Sequence, residues 1–350
     1  MRTRILTIAA LSLLAPLTPA LTGPAAAVPA GAASAPRYTI TDLGTLGGDR
    51  SAATAISNSG QVVGYSVTPQ GAEHAFRWSA GSMTDLGTLP GGGYSHANAV
   101  NDAGQVAGLS DRSSGGYGYP VRWSASGAIQ DLGGPITNQL GSGNAIDPAG
   151  RVAGGQRPAS SEGEPVAMLY DTAGRPHLLA KGSLGAAAGI NARGQIVGSP
   201  AYIWQNGAVT SLPGLAGGSA SARAISISGL VAGSAGTVDG SLHAALWRGR
   251  AITDLGTIDG IRYNQANAVN AAGQVVGTAD PLCSPCVAPR AWLWRAGSAT
   301  ALDSLIPAGS GWTLQQANGI SDRGEIAGAG LHNGKLHAFV LVPVFHATAD

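Results

Sequence analysis

Residues 55–89 read AISNSGQVVGYSVTPQGAEHAFRWSAGSMTDLGTL, and the way this stretch recurs decides the fold. It holds four short runs rich in Val, Ile and aromatic residues, punctuated by Gly, Ser and Asn, the pattern of short strands joined by tight turns. The turn glycine of the first hairpin returns at Gly60, Gly104, Gly150, Gly194, Gly229, Gly273 and Gly324, with successive spacings of 44, 46, 44, 35, 44 and 51 residues, so the unit occurs seven times. Each copy is expected to form strands a, b, c and d, exemplified by Ala97–Asn101, Gln105–Ser110, His74–Ser79 and Met83–Leu89. No segment sustains an apolar period of 3.6 residues, so helices are not expected.

Four strands in about 44 residues make the unit of a β-propeller blade. The two ends of the chain carry the argument further. A first DLGTL, at Asp42–Leu46, precedes any a, b or c strand, whereas the last copy stops after its c strand at His337–Val342. The N-terminal strand can therefore complete the last copy and close a ring, which protects sheet edges. A linear solenoid gains nothing from that offset. The fold class expected is all-β: a seven-bladed β-propeller over residues 38–344, its last blade completed by residues 38–46. A β-solenoid or an irregular β-sandwich is the alternative.

A residue type that recurs at one place in most copies is expected to serve packing. The column Trp78, Trp123, Tyr170, Trp204, Trp247, Trp294, Leu341 and the column two residues earlier, Phe76, Val121, Met168, Tyr202, Ala245, Trp292, Phe339, share one strand face and should fill the space between blades. His74 precedes Asp85 by 11 residues, as His243 precedes Asp254, and a tight c–d hairpin would set each pair opposite. His337 lacks such a partner downstream and needs Asp42. The turn residues Ser57, Asn101, Asp147 and Asn270 are expected to bond backbone two residues on. One oxygen per turn is far short of a calcium shell. Thr54, Asn98, Asn144, Ala188, Arg223, Asn267 and Asn318 form an inner column, read as caps between neighbouring blades or as the polar lining of a central channel.

Residues 1–27 read as a secretory signal, with Arg2 and Arg4, an apolar run Ile5–Leu17 and small residues at Ala25–Ala27. A lead-in of Ala, Gly and Pro fills residues 28–37, and residues 345–350 form a short tail. The expectation is a protein secreted through a Sec-type signal. The chain is 11% charged with a formal net charge of +1 and only two lysines, Lys181 and Lys335, which gives no electrostatic footprint for nucleic acid or an anionic membrane. Gly, at 54 of 350 residues, is about twice its usual share, but 44% hydrophobic content and seven Trp provide a core to bury.

The elements GQVVG at Gly60–Gly64 and Gly273–Gly277, His-Ala-Phe at His74–Phe76 and His337–Phe339, and DLGTL at Asp42–Leu46 and Asp85–Leu89 recur in order. In this the chain resembles the HAF family of extracellular repeat proteins from about Tyr38 to Val344. Copies three and four depart from the pattern: Val166 and Pro200 replace the His, and their d strands lack DLG. The resemblance implies export and a propeller-like fold. It brings no activity, ligand or site residues.

Function is sought where the repeat is silent. In a propeller the a–b and c–d turns open on one face, and the d–a and b–c loops on the other. The latter vary here, and variable loops on a rigid scaffold carry function. Arg50, Tyr94, His96, Arg262, Tyr263 and Trp312 lie on or beside the d–a loops and are the candidate ligand contacts, suited to a carbohydrate or peptide. Cys283 and Cys286, in a Cys-Ser-Pro-Cys loop, read as a small disulfide in an exported chain, with a redox-active pair as the alternative. No metal or other cofactor is expected. The d–a loops offer only Asp49 and Asp259 as carboxylates outside the repeat columns. The b–c acids Asp111, Glu162, Glu164, Asp239 and Asp280 are expected farther out, and no G-x-S-x-G, H-E-x-x-H or P-loop is present. The reading is a monomeric, non-catalytic binding module for cell-wall glycan or a surface protein, with no nucleic acid and no membrane insertion. A propeller enzyme acting on glycans (hydrolase or lyase) and a purely structural envelope protein are the alternatives.

Overall fold

The computed structural model of the chain describes residues 37–113, 118–133, 140–157, 165–216, 218–281 and 288–344. The expected leader, nearly all of the lead-in, the C-terminal tail, Glu162, Glu164 and both cysteines lie outside these residues. Among them the chain is all strand and turn, apart from two short 3-10 turns at Leu179–Gly182 and Leu302–Leu305. No helix among the described residues is long and apolar enough to cross a membrane.

The strands pair antiparallel in fours. Five sheets have four strands, and a sixth of eight consists of two such units joined by a single parallel pair, Leu242↔Tyr263. In every unit strand a pairs with b, b with c and c with d. The inner strands a are Ser51–Ile56, Ser95–Val100, Leu140–Ile146, Ala187–Ile190, Ala220–Ile225, Tyr263–Val269 and Trp312–Ile320. The turn glycines before strand b all have φ between +73 and +87, a region that glycine enters without steric cost. The Asx bond of these turns reaches farther than expected. Asn101, Asp147 and Asn270 accept, through Oδ1, the N–H four residues on, at 2.8–2.9 Å. The side chain spans the whole turn to the start of strand b, while the backbone itself closes the shorter span.

A β-bulge interrupts each inner strand at the same place, where the register shifts around Thr54, Asn98, Asn144, Ala188, Arg223, Asn267 and Asn318. A bulge re-aims the side chain of its extra residue, and here it turns the whole inner column toward the channel. The bulge also presses a strand-a carbonyl against strand b. At Gly64, Gly108, Gly154, Gly198, Gly233, Gly277 and Gly328 an added Cβ would lie only 1.9–2.3 Å from that oxygen. Glycine is required there by close approach of the neighbouring backbone.

The two aromatic columns pack between units, with one large ring as the rule. Where the column two residues earlier offers Val121, Met168 or Ala245, its partner Trp123, Tyr170 or Trp247 is fully buried; beside buried Phe76, Tyr202 or Trp292, the partner Trp78, Trp204 or Trp294 is only half-buried. The space at each seam takes one ring and lets the second edge outward, as close packing demands.

The ends meet. The N-terminal strand Arg37–Asp42 pairs with Lys335–Val344 in the register Arg37↔Val344 to Asp42↔Phe339. It stops four residues short of the expected Leu46, because Gly44 at φ +75 and its N–H bond to the Asp42 carboxylate turn the chain away. Leu43 and Leu46 then tuck into the core formed with Phe76 and Val340. The expected His–Asp pairs form at His74–Asp85 (2.8 Å), His243–Asp254 (2.9 Å) and, across the closure, His337–Asp42 (2.8 Å).

Candidate binding face

The bulged column makes a ring of hydrogen bonds around the channel. Thr54 donates to the Ala97 carbonyl (2.7 Å), Asn98 to Gly143 (3.0 Å), Asn144 to Ala187 (2.8 Å), Asn267 to Ala317 (3.0 Å) and Asn318 to Ala53 (2.9 Å). Each cap lies on the next unit, and the last returns to the first. Capping and channel lining are thus both served by the same residues. Below the ring the channel opens into a cavity of about 680 Å³ walled by the Ala and Ile residues that end the inner strands, and Arg223 is the one charged residue on its wall. Ala188 cannot cap, and Arg223 reaches only Asn267 Oδ1 at 3.4 Å. Desolvation lowers the pKa of its guanidinium.

Above the ring, on the side of the d–a and b–c loops, lies a second cavity of about 400 Å³. Tyr263, Gln265 and Asn267 of one inner strand line it, with Thr278 and Asp280 of the adjoining strand b, Gln316 and Asn318 of the last unit, and Arg223 and Leu242 of the preceding one. Tyr263 is thus a candidate that the structure places on a concavity at the channel mouth; Tyr94 lines a smaller one of about 290 Å³ with Ser142, Asn144 and Arg157. Asp280 was expected farther out. It lies instead opposite Tyr263 in the a–b ladder, because the end of strand b is nearly as close to the axis as the start of strand a.

Three other candidates come together at the seam between the first two units. Glu73, which opens a c strand, accepts hydrogen bonds from Arg50 Nη2 at 2.8 Å and contacts His96 Nε2 at 3.0 Å. The His96 ring stacks on Tyr65, with centroids 4.1 Å apart and planes 10° apart, while Tyr94 tilts against it at 4.7 Å. Burial pushes the His96 imidazole below its ordinary pKa, though Glu73 opposes this. Burial works against the Glu73 carboxylate too, but the bonds from Arg50 and His96 outweigh it and hold its pKa down. Arg50 is therefore engaged by a carboxylate. Sequence reasoning missed Glu73 and Tyr65. Their signal was position: Glu73 opens a c strand on the rim of the d–a loops, and Tyr65 lies two residues from the end of the strand b before it. Asp111, another acid expected farther out, is fully buried and holds the N–H groups of Gly93 and Tyr94 at 2.9 and 3.0 Å.

Arg262 and Trp312 stand apart from both clusters. Arg262 donates to Ser241 Oγ (3.1 Å) and the Asp239 carbonyl (2.5 Å), bracing the preceding b–c loop. Trp312 opens an inner strand, where a loop was expected. One ring face lies flat on His332, with centroids 4.6 Å apart and planes 1° apart, and Phe339 meets it edge-on at 5.8 Å. A ring so covered is committed to packing on that face. His332 in turn contacts Asp42 Oδ2 at 2.8 Å beside His337.

The strand pairing and the five caps, the last of which returns to the first unit, define a β-propeller. No protein-family model and no curated protein matches the chain. Among solved structures it is similar to TolB from Acinetobacter baumannii, at 11% identity over 85% of this chain and 55% of that one (TM-score 0.39). It is also similar to a Mycobacterium tuberculosis puromycin-hydrolyzing peptidase, at 15% identity over 80% and 49% (TM-score 0.49). A streptogramin B lyase aligns at 12% identity over 87% and 98% (TM-score 0.48). The chain spans about half the length of the first two. None of these likenesses carries an activity, ligand or partner to this protein.

Proposed function

We propose that the protein is an exported, non-catalytic binding module, a propeller of seven blades that takes a carbohydrate or peptide ligand at the mouth of its channel. The cavity of about 400 Å³ carries this reading: three successive units contribute to it the amides, the Thr278 hydroxyl, Arg223 and the Tyr263 ring. Polar groups converging on a preformed concavity with an aromatic wall suit a small polar ligand. Three acids around the face, Glu73, Asp239 and Asp259, are each engaged by an arginine, which favours binding over hydrolysis. The count of seven takes the eight-stranded sheet as two blades joined by one parallel pair. Export and kinship to the HAF repeats rest on the leader and on the motifs from Asp42 to Phe339, and cell-wall glycan or a surface protein is the partner class that fits an exported monomer.

The test is a glycan, cell-wall polymer and peptide array probed with the mature chain, Tyr263→Ala and Arg223→Gln. Retention of a ligand by the wild type, weakened at least tenfold in both variants, supports the assignment. Binding untouched by either variant removes the channel mouth as the site, and no binding at all removes the function.

A further inference from the structure

At the closing seam the repeat's ordinary His–Asp pair becomes a three-membered group. Two imidazole Nδ1 atoms, of His332 and His337, each lie 2.8 Å from the same oxygen, Oδ2 of Asp42, and all three donor atoms fall within 4.8 Å of one another. Two other units show that the fold needs only one imidazole here, since His74–Asp85 and His243–Asp254 are complete as pairs. The place four residues beyond the strand-b glycine is Thr68 after Gly64 and Thr237 after Gly233; it is Arg112 after Gly108, where the guanidinium bonds the strand-d carboxylate Asp131 at 2.8 Å, and His332 after Gly328. His332 thus gives a strand-d carboxylate a second imidazole, where the second unit gives it an arginine and two others give it none, and it stacks on Trp312 as well.

We propose that Asp42, His332 and His337 bind one borderline divalent transition-metal ion, with Zn²⁺ as the probe, and that the ion fastens the N-terminal strand to the last unit. Two neutral imidazoles and one carboxylate give a set of net charge −1, complementary to a dication. Nitrogen donors of this kind suit Zn²⁺, Cu²⁺ and Ni²⁺, whereas Ca²⁺ takes six to eight oxygens. Three protein ligands with solvent in the fourth position make a common open zinc geometry, and the side chains are 19–29% exposed on that side. Zn–N bonds of about 2.0–2.1 Å set tetrahedral ligands about 3.3 Å apart, so each imidazole need only swing outward by about half an ångström. On binding, the Nδ1 lone pairs turn to the metal and the ring protons reside on Nε2. Outer contacts orient the set, as metal sites require: the Gly44 N–H holds Asp42 Oδ1 at 2.8 Å, and Trp312 fixes the plane of His332. The ion would tie residues 290 apart in the chain. This proposal is independent of the ligand reading at the channel mouth.

The experiment is calorimetric titration and thermal melting of the tag-free mature chain in a C283S/C286S background, so that thiols do not compete. One equivalent of Zn²⁺ should bind, and Tm should rise by about 4 °C at a hundredfold excess over Kd. Cu²⁺ should quench the emission that distinguishes the wild type from Trp312→Phe. His332→Gln should abolish binding and quenching while its metal-free melting stays near wild type. His243→Gln, which breaks a pair in another unit, should leave binding intact. Failure of the wild type to bind Zn²⁺ at one site, or binding that survives His332→Gln, overturns the proposal.

Discussion

The first seam and the closing seam are built alike and differ by one cation. In both, a carboxylate gathers two basic groups, and an imidazole lies flat on an aromatic ring: His96 on Tyr65 at the first, His332 on Trp312 at the closure. At the first seam the second basic group is Arg50, a guanidinium that stays protonated and cannot ligate a metal. At the closure it is a second imidazole. The two groups stand at different places in the repeat, since Asp42 and His337 correspond to Asp85 and His74 while Glu73 and His96 bridge two units. Yet in each the nature of the second basic side chain decides whether the group is an ion pair or a ligand set. A further difference is connectivity. The first seam joins neighbours along the chain, whereas the closure depends on a strand supplied from the other end.

That difference in connectivity gives the largest expected effect. Deleting residues 37–46 would bare the c strand Lys335–Val344 along its outer edge and remove Tyr38 and Leu43, 2% and 5% exposed, from the core. Thermal melting should show Tm lower by more than about 10 °C or no cooperative transition, since losses of two large core side chains alone run to several kcal/mol. A deletion that melts near the wild type would show that the ring does not depend on its closing strand.

Where the seams are the same, they should respond the same. An added Cβ at Gly64 or at Gly328 meets a strand-a carbonyl at 1.9 Å, so Gly64→Ala and Gly328→Ala should each cost about 2–4 kcal/mol by chemical denaturation. Unequal costs would mean that the bulge is tighter at one seam than at the other.

These glycines also show what was legible in the sequence. The repeat, the ring closure through Asp42 and His337, and the packing columns follow from spacing alone, because period and position are properties of the string. The bulges do not. A single extra residue leaves no mark on an alternation only four or five residues long, and its one trace was the recurring strand-b Gly, which reads equally well as turn punctuation. Without the bulge, the inner column can be named but not aimed, so the sequence does not separate Arg223 from the rest of the column or mark Gln265 and Gln316. Tyr263 was legible as an aromatic outside the repeat. Trp312 carried the same signal and a different outcome, since its partner His332 stands twenty residues away on the facing strand. Glu73 was hidden beside the His-Ala-Phe motif, whose regularity drew the reading to packing.

Acid should separate the seams. The unfolded His pKa is about 6.5, and burial holds the folded His96 below it. The unfolded chain therefore binds more protons as pH drops below about 6.5, and stability falls until the folded group also titrates. Glu73 and Asp42 are depressed carboxylates, so their contributions are present above the unfolded values near 4 and fade as pH falls through the folded ones. Denaturation midpoints measured from pH 7 to 3 should show a first loss that His96→Gln removes and a second that it leaves. A His96→Gln profile that overlays the wild type would place the imidazole in a solvent-like setting.

The smallest effect tests how the first seam is organised. Glu73→Ala removes the acceptor of two partners and leaves His96, half-buried against two tyrosines, without a charged neighbour; a loss of about 1 kcal/mol is expected for such a bond. Arg50→Ala takes away only an exposed guanidinium, with 48% of its side-chain surface open, and leaves the His96–Glu73 bond in place. Exposed ion pairs contribute little once solvent and side-chain entropy are counted, so its melting temperature should stay within the scatter of the wild type. The asymmetry is the point of the pair of variants. If Arg50→Ala proved as costly as Glu73→Ala, the arginine would be holding the imidazole through the carboxylate, and the first seam would be one coupled unit in the way the closure is.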